Sequence, residues 1–211
     1  MKKNFTLLLS VLFCLSIVSC QKGIEGPLPP GTVSGGTGNN NGGTDITGTW
    51  KLISVEAKTS STNEVTLGGE LIKTVTESNY VTENSKGTVT FDASKMTSKD
   101  VSYDINTISK ITTYENGVLL DTLSLPMSVS VPASSGAASF IRIGSDSLYF
   151  QSGSLFMGGT TQDTQAGGAK IKLEQDKLYL EQTHSKSTTI SDQGATMTTF
   201  EHATVIITMQ R

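Results

Sequence analysis

Only two histidines, His184 and His202, could serve this chain as a general base near neutral pH, and each lies in or beside a run rich in Thr and Ser. A nucleophilic hydroxyl needs such a base held next to it, yet the chain carries no Gly-x-Ser-x-Gly elbow. It also lacks a His-x-x-x-His pair. The two histidines could share a metal if paired strands made them neighbours, but no third ligand is evident. Gly158-Gly159 and Gly167-Gly168 lack the Lys or the helix start that a phosphate loop requires. These residues point to two surface strand histidines in a non-enzymatic protein with no metal and no cofactor.

The cysteines narrow the chemistry further. Cys14 lies in an apolar run, Phe5 to Val18, that follows Lys2 and Lys3. That run is short for a permanent span and reads as an export signal. It ends in Ile17-Val18-Ser19-Cys20, which resembles the bacterial lipobox. The resemblance implies cleavage before Cys20 and diacylglycerol on its sulfur, so that residues 1–19 are a signal peptide and Cys20 is a lipid anchor. Neither cysteine is then left for a disulfide, a thiolate nucleophile or a metal, although export would permit a disulfide. Removing Lys2 and Lys3 from the 16 basic residues leaves 14 against 19 acidic ones. With no basic cluster, that balance argues against nucleic acid and against electrostatic docking on anionic lipid. The membrane partner is expected through the Cys20 lipid alone.

Residues 20–47 form the lipidated Cys and a tether containing Pro27, Pro29, Pro30 and Asn39-Asn40-Asn41. Chains of this composition are flexible coils. From Gly48 the composition changes. Val89/Phe91, Val101/Tyr103/Ile105, Leu125/Met127/Val129/Val131, Ile141/Ile143, Leu148/Phe150, Ile171/Leu173, Leu178/Leu180 and Val205/Ile207/Met209 alternate with polar residues, the period of half-buried strands. Trp50, Leu52, Ile53 and Val55 alternate with a change of phase that predicts a bulge. Turns are expected at Gly68-Gly69, Ser85-Lys86-Gly87, Asn116-Gly117, Gly144-Ser145-Asp146 and Asp192-Gln193-Gly194, with longer loops at Pro132 to Ala138 and Gly158 to Gly168. The order predicts an all-β domain over 48–211, an antiparallel up-and-down barrel of about eight to ten strands. A β-sandwich is the alternative.

Gly48-Thr49-Trp50 on the first strand, with Arg211 closing the last, is similar to the lipocalin and calycin pattern. The wording Ile46 to Leu52 also resembles small lipocalin-like lipoproteins of Bacteroidota. The resemblance implies that Trp50 plugs one end of a barrel with the Arg211 guanidinium across its indole, so that Gly48, Trp50 and Arg211 mark barrel closure. The chain departs from the pattern in lacking the Tyr of a Thr-Asp-x-x-Tyr loop and in ending at its last strand. The implied function is a lipid-anchored barrel that buries a small hydrophobic or amphipathic ligand. Phe91, Tyr103, Ile105, Met127, Val129, Ile141 and Phe150 are its candidate lining residues. A surface interaction lipoprotein with a filled barrel is the alternative. Gln21, rather than Asp, after Cys20 predicts sorting to the outer membrane, on either its periplasmic or its outer face.

Overall fold

Branched and aromatic side chains in alternation favour extended backbone because they pack well on a pleated surface. In the computed structural model, which describes residues 45–151, 166–192 and 194–211, these runs form antiparallel strands. The described residues fall within one compact unit of the chain, Gly35–Arg211. Readings placed on residues 1–44, Cys20 among them, lie outside the described residues, as does most of the expected loop at 158–168.

Nine strands are described: β1 Gly48–Leu67, β2 Glu70–Val81, β3 Glu83–Phe91, β4 Lys95–Glu115, β5 Val118–Ile143, β6 Ser147–Phe150, β7 Gly167–Glu174, β8 Lys177–Asp192 and β9 Ala195–Gln210. β2 and β3 are two halves of one path, since both run antiparallel to β1 and both to β4. Each later strand pairs with the next in sequence, and β9 returns to β1 from Lys51↔Gln210 to Leu67↔Ala195. Hydrogen bonding therefore runs in a closed up-and-down ring, and the two-sheet sandwich is not what forms.

Local irregularities explain where the expected punctuation held and where it failed. The β1–β9 register shifts between Leu52 and Ser54, which places the predicted bulge at Ile53. Asn116 and Gly117 turn with φ of 50° and 82°, as the tight β4–β5 hairpin requires. Ser85-Lys86-Gly87, expected to be a turn, instead lies inside β3. There the β3–β4 register shifts on both sides of Lys86, and Gly87 has a φ of 101°. A Cβ at Gly87 would lie 2.7 Å from the Asp100 carbonyl oxygen and the Val101 Cα, so only glycine allows β3 this close to β4. Pro132 to Ala138, expected to be a loop, is likewise strand. It forms part of β5 on a stretch that, among the described residues, pairs with β4 on one side only, a position that tolerates proline.

The core fills one end of the ring. Trp50, Leu52, Val89, Phe91, Met96, Phe140, Leu148, Phe150, Leu178, Leu180, Ile207 and Met209 are all buried there. Phe140 sits between Phe91 and Phe150 in edge-to-face contacts, with centroids 6.1 and 6.0 Å away. The alternate residues Lys51, Thr90, Lys170, Lys172 and Glu181 are exposed. Apolar side chains thus point in and charged ones out, a water-facing arrangement and the reverse of a lipid-facing barrel.

Above this base, β6 and β7 stop while the other strands continue. The far halves of β8, β9, β1, β2, β4 and β5 extend in that order as a wall one sheet thick. Residues on both its faces remain partly accessible.

Candidate functional site

At the closed end, the chain enters through Ile46, whose carbonyl accepts a hydrogen bond from the Trp50 indole N–H at 2.8 Å. Gly48 follows with a φ of 125°. The Arg211 guanidinium carbon lies 4.4 Å from the Trp50 ring centroid, and its Nη2 donates to the Thr47 carbonyl at 2.8 Å. The last residue of the chain is thereby stacked on the first strand's indole. Gly48, Trp50 and Arg211 come together as a plug.

Carboxylates hold the turns at this end. Asp92 accepts from the backbone N–H groups of Ser94 and Lys95 at 2.8 and 2.6 Å, and these bonds hold its carboxyl below the usual range. The Gln210 side-chain amide does the same for Asp176, and Thr47 does it for Asp45.

The candidate lining residues divide into three groups. Phe91 and Phe150 are packed wholly within the base, and Tyr103 and Ile105 are buried at its upper level, so these four fill space rather than line it. Met127 and Val129 lie opposite Thr107 and Ile105, and opposed residues of antiparallel strands share a face. They therefore sit on the core-side face of β5. Ile141 does not. Between Val131 and Ser134, opposite a matching slip in β4, the inward phase of β5 changes from odd to even residues. Phe140 is consequently inward and Ile141 points away from the core, an outcome that extending the alternation from Val131 could not anticipate.

The same register extends Met127 and Val129 into a longer row, whose other members the sequence had offered only as strand pattern. Leu123, Leu125, Met127, Val129 and Val131 lie on the core-side face of β5, opposite Ile111, Ser109, Thr107, Ile105 and Tyr103. Met127 and Val131 pack partly against the core, while Leu123, Leu125 and Val129 are 48%, 43% and 43% exposed. Below the rim the remaining wall strands carry mainly polar groups on this face, and at the rim Ile190, Met197, Val65 and Ile72 make a second apolar row across β8, β9, β1 and β2. Ser78 and Ser109 share a hydrogen bond at 2.6 Å, and Thr199 donates to Asn63 at 2.8 Å.

Where base meets wall, three polar side chains are buried or nearly so. Gln182 is 5% exposed, and its Oε1 has no hydrogen-bond partner among the described residues. It shares a register row with Val205, Ala57 and Tyr80. Burial pushes the Tyr80 hydroxyl above the usual tyrosine range. Tyr103 is pushed up by burial first and by the nearby Tyr80 second. Gln182 thus makes a polar ledge where base meets wall, a buried acceptor with no donor among the described residues. It suits an uncharged hydrogen-bond donor.

Of the two histidines, His202 is described at an exposed position, with Nδ1 2.8 Å from Ser185 Oγ. Its strand neighbour Glu201 pairs with Lys186 and so lies on the opposite face of the sheet. Among the described residues the carboxylate in the His202 register row on that face is Glu77, two strands away beyond Ser60, and the imidazole is hydrogen-bonded to Ser185. Among the described residues no group of three or more His, Cys, Asp or Glu could hold a metal ion.

No protein-family model and no curated protein matches the chain. Among solved structures, the translocator domain of the autotransporter NalP from Neisseria meningitidis is similar at 9% identity, covering 79% of this chain and 89% of that one, with a TM-score of 0.25. Ail, the attachment invasion locus protein of Yersinia pestis in complex with the heparin analogue sucrose octasulfate, matches at 7% identity over 77% and 99%, with a TM-score of 0.20. Both are outer-membrane β-barrel proteins, and both scores lie far below those of chains that share a fold.

Proposed function

We propose that this chain is a lipid-anchored, lipocalin-like protein of a bacterial outer membrane that holds an amphipathic small molecule. It is tethered through Cys20 and does no catalysis. The apolar part of the ligand lies along β5, and its polar head meets the ledge at Gln182. The row from Leu123 to Val131 carries this reading, because its side chains face the core yet remain partly open to water directly above a filled base. Covering them removes apolar surface from water at about 25 cal/mol per Å². The stacking of Arg211 on Trp50 supports the lipocalin-like part, and the signal-like residues 1–19 support the anchor.

The test is titration of the Cys20–Arg211 protein with an anthroyloxy-labelled fatty alcohol and the matching fatty acid. Saturable fluorescence enhancement is expected, stronger for the alcohol, and lost in Leu125→Asp and Val129→Asp. No enhancement with either probe, or enhancement indifferent to both substitutions, overturns the ligand role. Metabolic labelling with an alkyne fatty acid tests the anchor separately, and Cys20→Ser is expected to abolish it.

A second reading, a surface interaction module with no small ligand, draws on the rim. Val118, Leu119 and Leu120 follow the Asn116-Gly117 turn and are all exposed, as is Leu67 on the β1–β2 hairpin. Asn116 ties the two hairpins through bonds to the backbone of Leu71. Unaltered probe binding in Leu119→Asp with loss of a protein partner would favour it.

A further inference from the structure

We propose that the face of the wall turned away from the core carries a second site, one that binds a neutral saccharide over Phe200. A shallow, open cleft of about 400 Å³ lies there, within the usual range for small-molecule sites of about 300–1,000 Å³. Its lining is set by register. His202 stands between Ser60 of β1 and Ser185 of β8, and one step along the strands Phe200 stands between Thr62 and Ser187. Six side chains thus form a grid of two rows and three columns on a single face.

The chemistry of that grid selects the ligand. Phe200 is 45% exposed in mid-sheet, flanked on both sides by short hydroxyl residues too small to cover its ring. A pyranose ring offers a matching surface: axial C–H groups on one face to lie on the aromatic ring, and hydroxyls around its edge. Ser and Thr hydroxyls both donate and accept, and so does neutral imidazole, so the grid can meet sugar hydroxyls in either sense. His202 engages Ser185 through Nδ1, which leaves Nε2 for the ligand. None of the six side chains of the grid is a carboxylate, lysine or arginine, and Glu201 and Lys186, which also border the cleft, turn their side chains to the other face, which favours an uncharged ligand over a sulfated or carboxylated one. The openness of the cleft implies weak, millimolar binding per ring, so a chain of several sugars on a surface fits better than a single one.

This site is on the opposite face from the β5 row, so either can fail without the other. The experiment is an NMR titration of the Cys20–Arg211 protein, followed on the His202 and Phe200 ring signals. The probes are neutral α- and β-linked hexasaccharides of glucose, mannose and xylose, with sucrose octasulfate as the charged comparison. Saturable shifts with at least one neutral hexasaccharide are expected, weakened about tenfold in Phe200→Ala. Phe200→Trp should retain or strengthen binding, and Ser185→Ala should weaken it about threefold. Absence of shifts at millimolar sugar, equal binding in Phe200→Ala, or a preference for the sulfated probe would each overturn the proposal. Should Phe200→Ala fail to fold, Phe200→Trp and Ser185→Ala decide the matter.

Discussion

The base and the wall share strands β1, β4, β5, β8 and β9, yet the two halves of each strand are written differently. Within the base, β9 places Val205, Ile207 and Met209 inward, all buried. In the wall the same face of β9 carries Met197, Thr199 and Glu201, and that of β1 carries Thr59, Ser61 and Asn63, none of them buried. The base is held by apolar burial and by carboxylates that cap its turns. The wall is held by its ladders and by cross-strand pairs such as Lys73 with Glu64 at 3.1 Å and Thr189 with Thr198 at 3.2 Å. The exposed large apolar residues of the wall lie chiefly on β5, at the rim, at Ile108 of β4 and at Phe200. Where a sheet has little core to form, such residues are better explained by what they contact outside the chain.

This contrast is broken most severely by Trp50→Ala. The indole is fully buried, donates to Ile46 and supports Arg211, so its removal should cost about 3–5 kcal/mol, read as a lowered urea midpoint. Next in size is Gln182→Leu, which acts in the opposite direction. Replacing a buried acceptor that lacks a donor with an apolar side chain of similar size should stabilise the free protein by about 1–2 kcal/mol. If Gln182 orients the ligand head, the same variant binds the fatty-alcohol probe more weakly. Higher stability with unchanged binding would remove Gln182 from the site.

Arg211→Met keeps apolar cover on the indole but removes the cation and the bond to Thr47. A loss of about 1 kcal/mol is expected, and it should shrink in high salt only slightly because ring contact, not distant charge, supplies most of it. A loss that vanishes in salt would mean the stacking contributes nothing. Acid should act more gently, and on the base rather than the wall. The folded-state values of Asp45, Asp92 and Asp176 are depressed, so the stability each contributes is present above the unfolded value, near 3.8, and disappears as pH falls through the folded one. All three groups are exposed, so the decline should be shallow, and Asp92→Asn should make it shallower still.

Much of this division was legible in the residues. Alternation from Trp50 to Met209, with the turn residues between the runs, predicted the antiparallel ring over the sandwich alternative, and the resemblance of Gly48-Thr49-Trp50 and Arg211 to the lipocalin pattern implied the stacking of Arg211 on Trp50. Depth along the strands was not legible. An inward Val129 and an inward Phe91 look alike in sequence, because alternation reports which face a residue occupies and not what lies opposite it. Slips of phase were hidden for a related reason. Gly87 looked like a turn glycine and Pro132 to Ala138 like a loop, since a bulge and a strand stretch paired on one side permit the same residues that turns prefer. Gln182 and Phe200 gave no signal, as each is one residue in a strand until its neighbours across the sheet are known.

The smallest stability effect makes the sharpest test of the contrast. Leu125→Ser removes an isobutyl group from a side chain that is 43% exposed and opposite only Ser109. In the base an equivalent truncation, Leu180→Ser, would open a cavity and bury a hydroxyl, costing about 3 kcal/mol or more. In the wall, stability should change by about 0.5 kcal/mol or less. Probe affinity should fall by severalfold through loss of apolar contact. If Leu125→Ser instead lowers the urea midpoint as Leu180→Ser does, the row on β5 is buried in the free protein, and its apolar residues belong to the core rather than to a ligand.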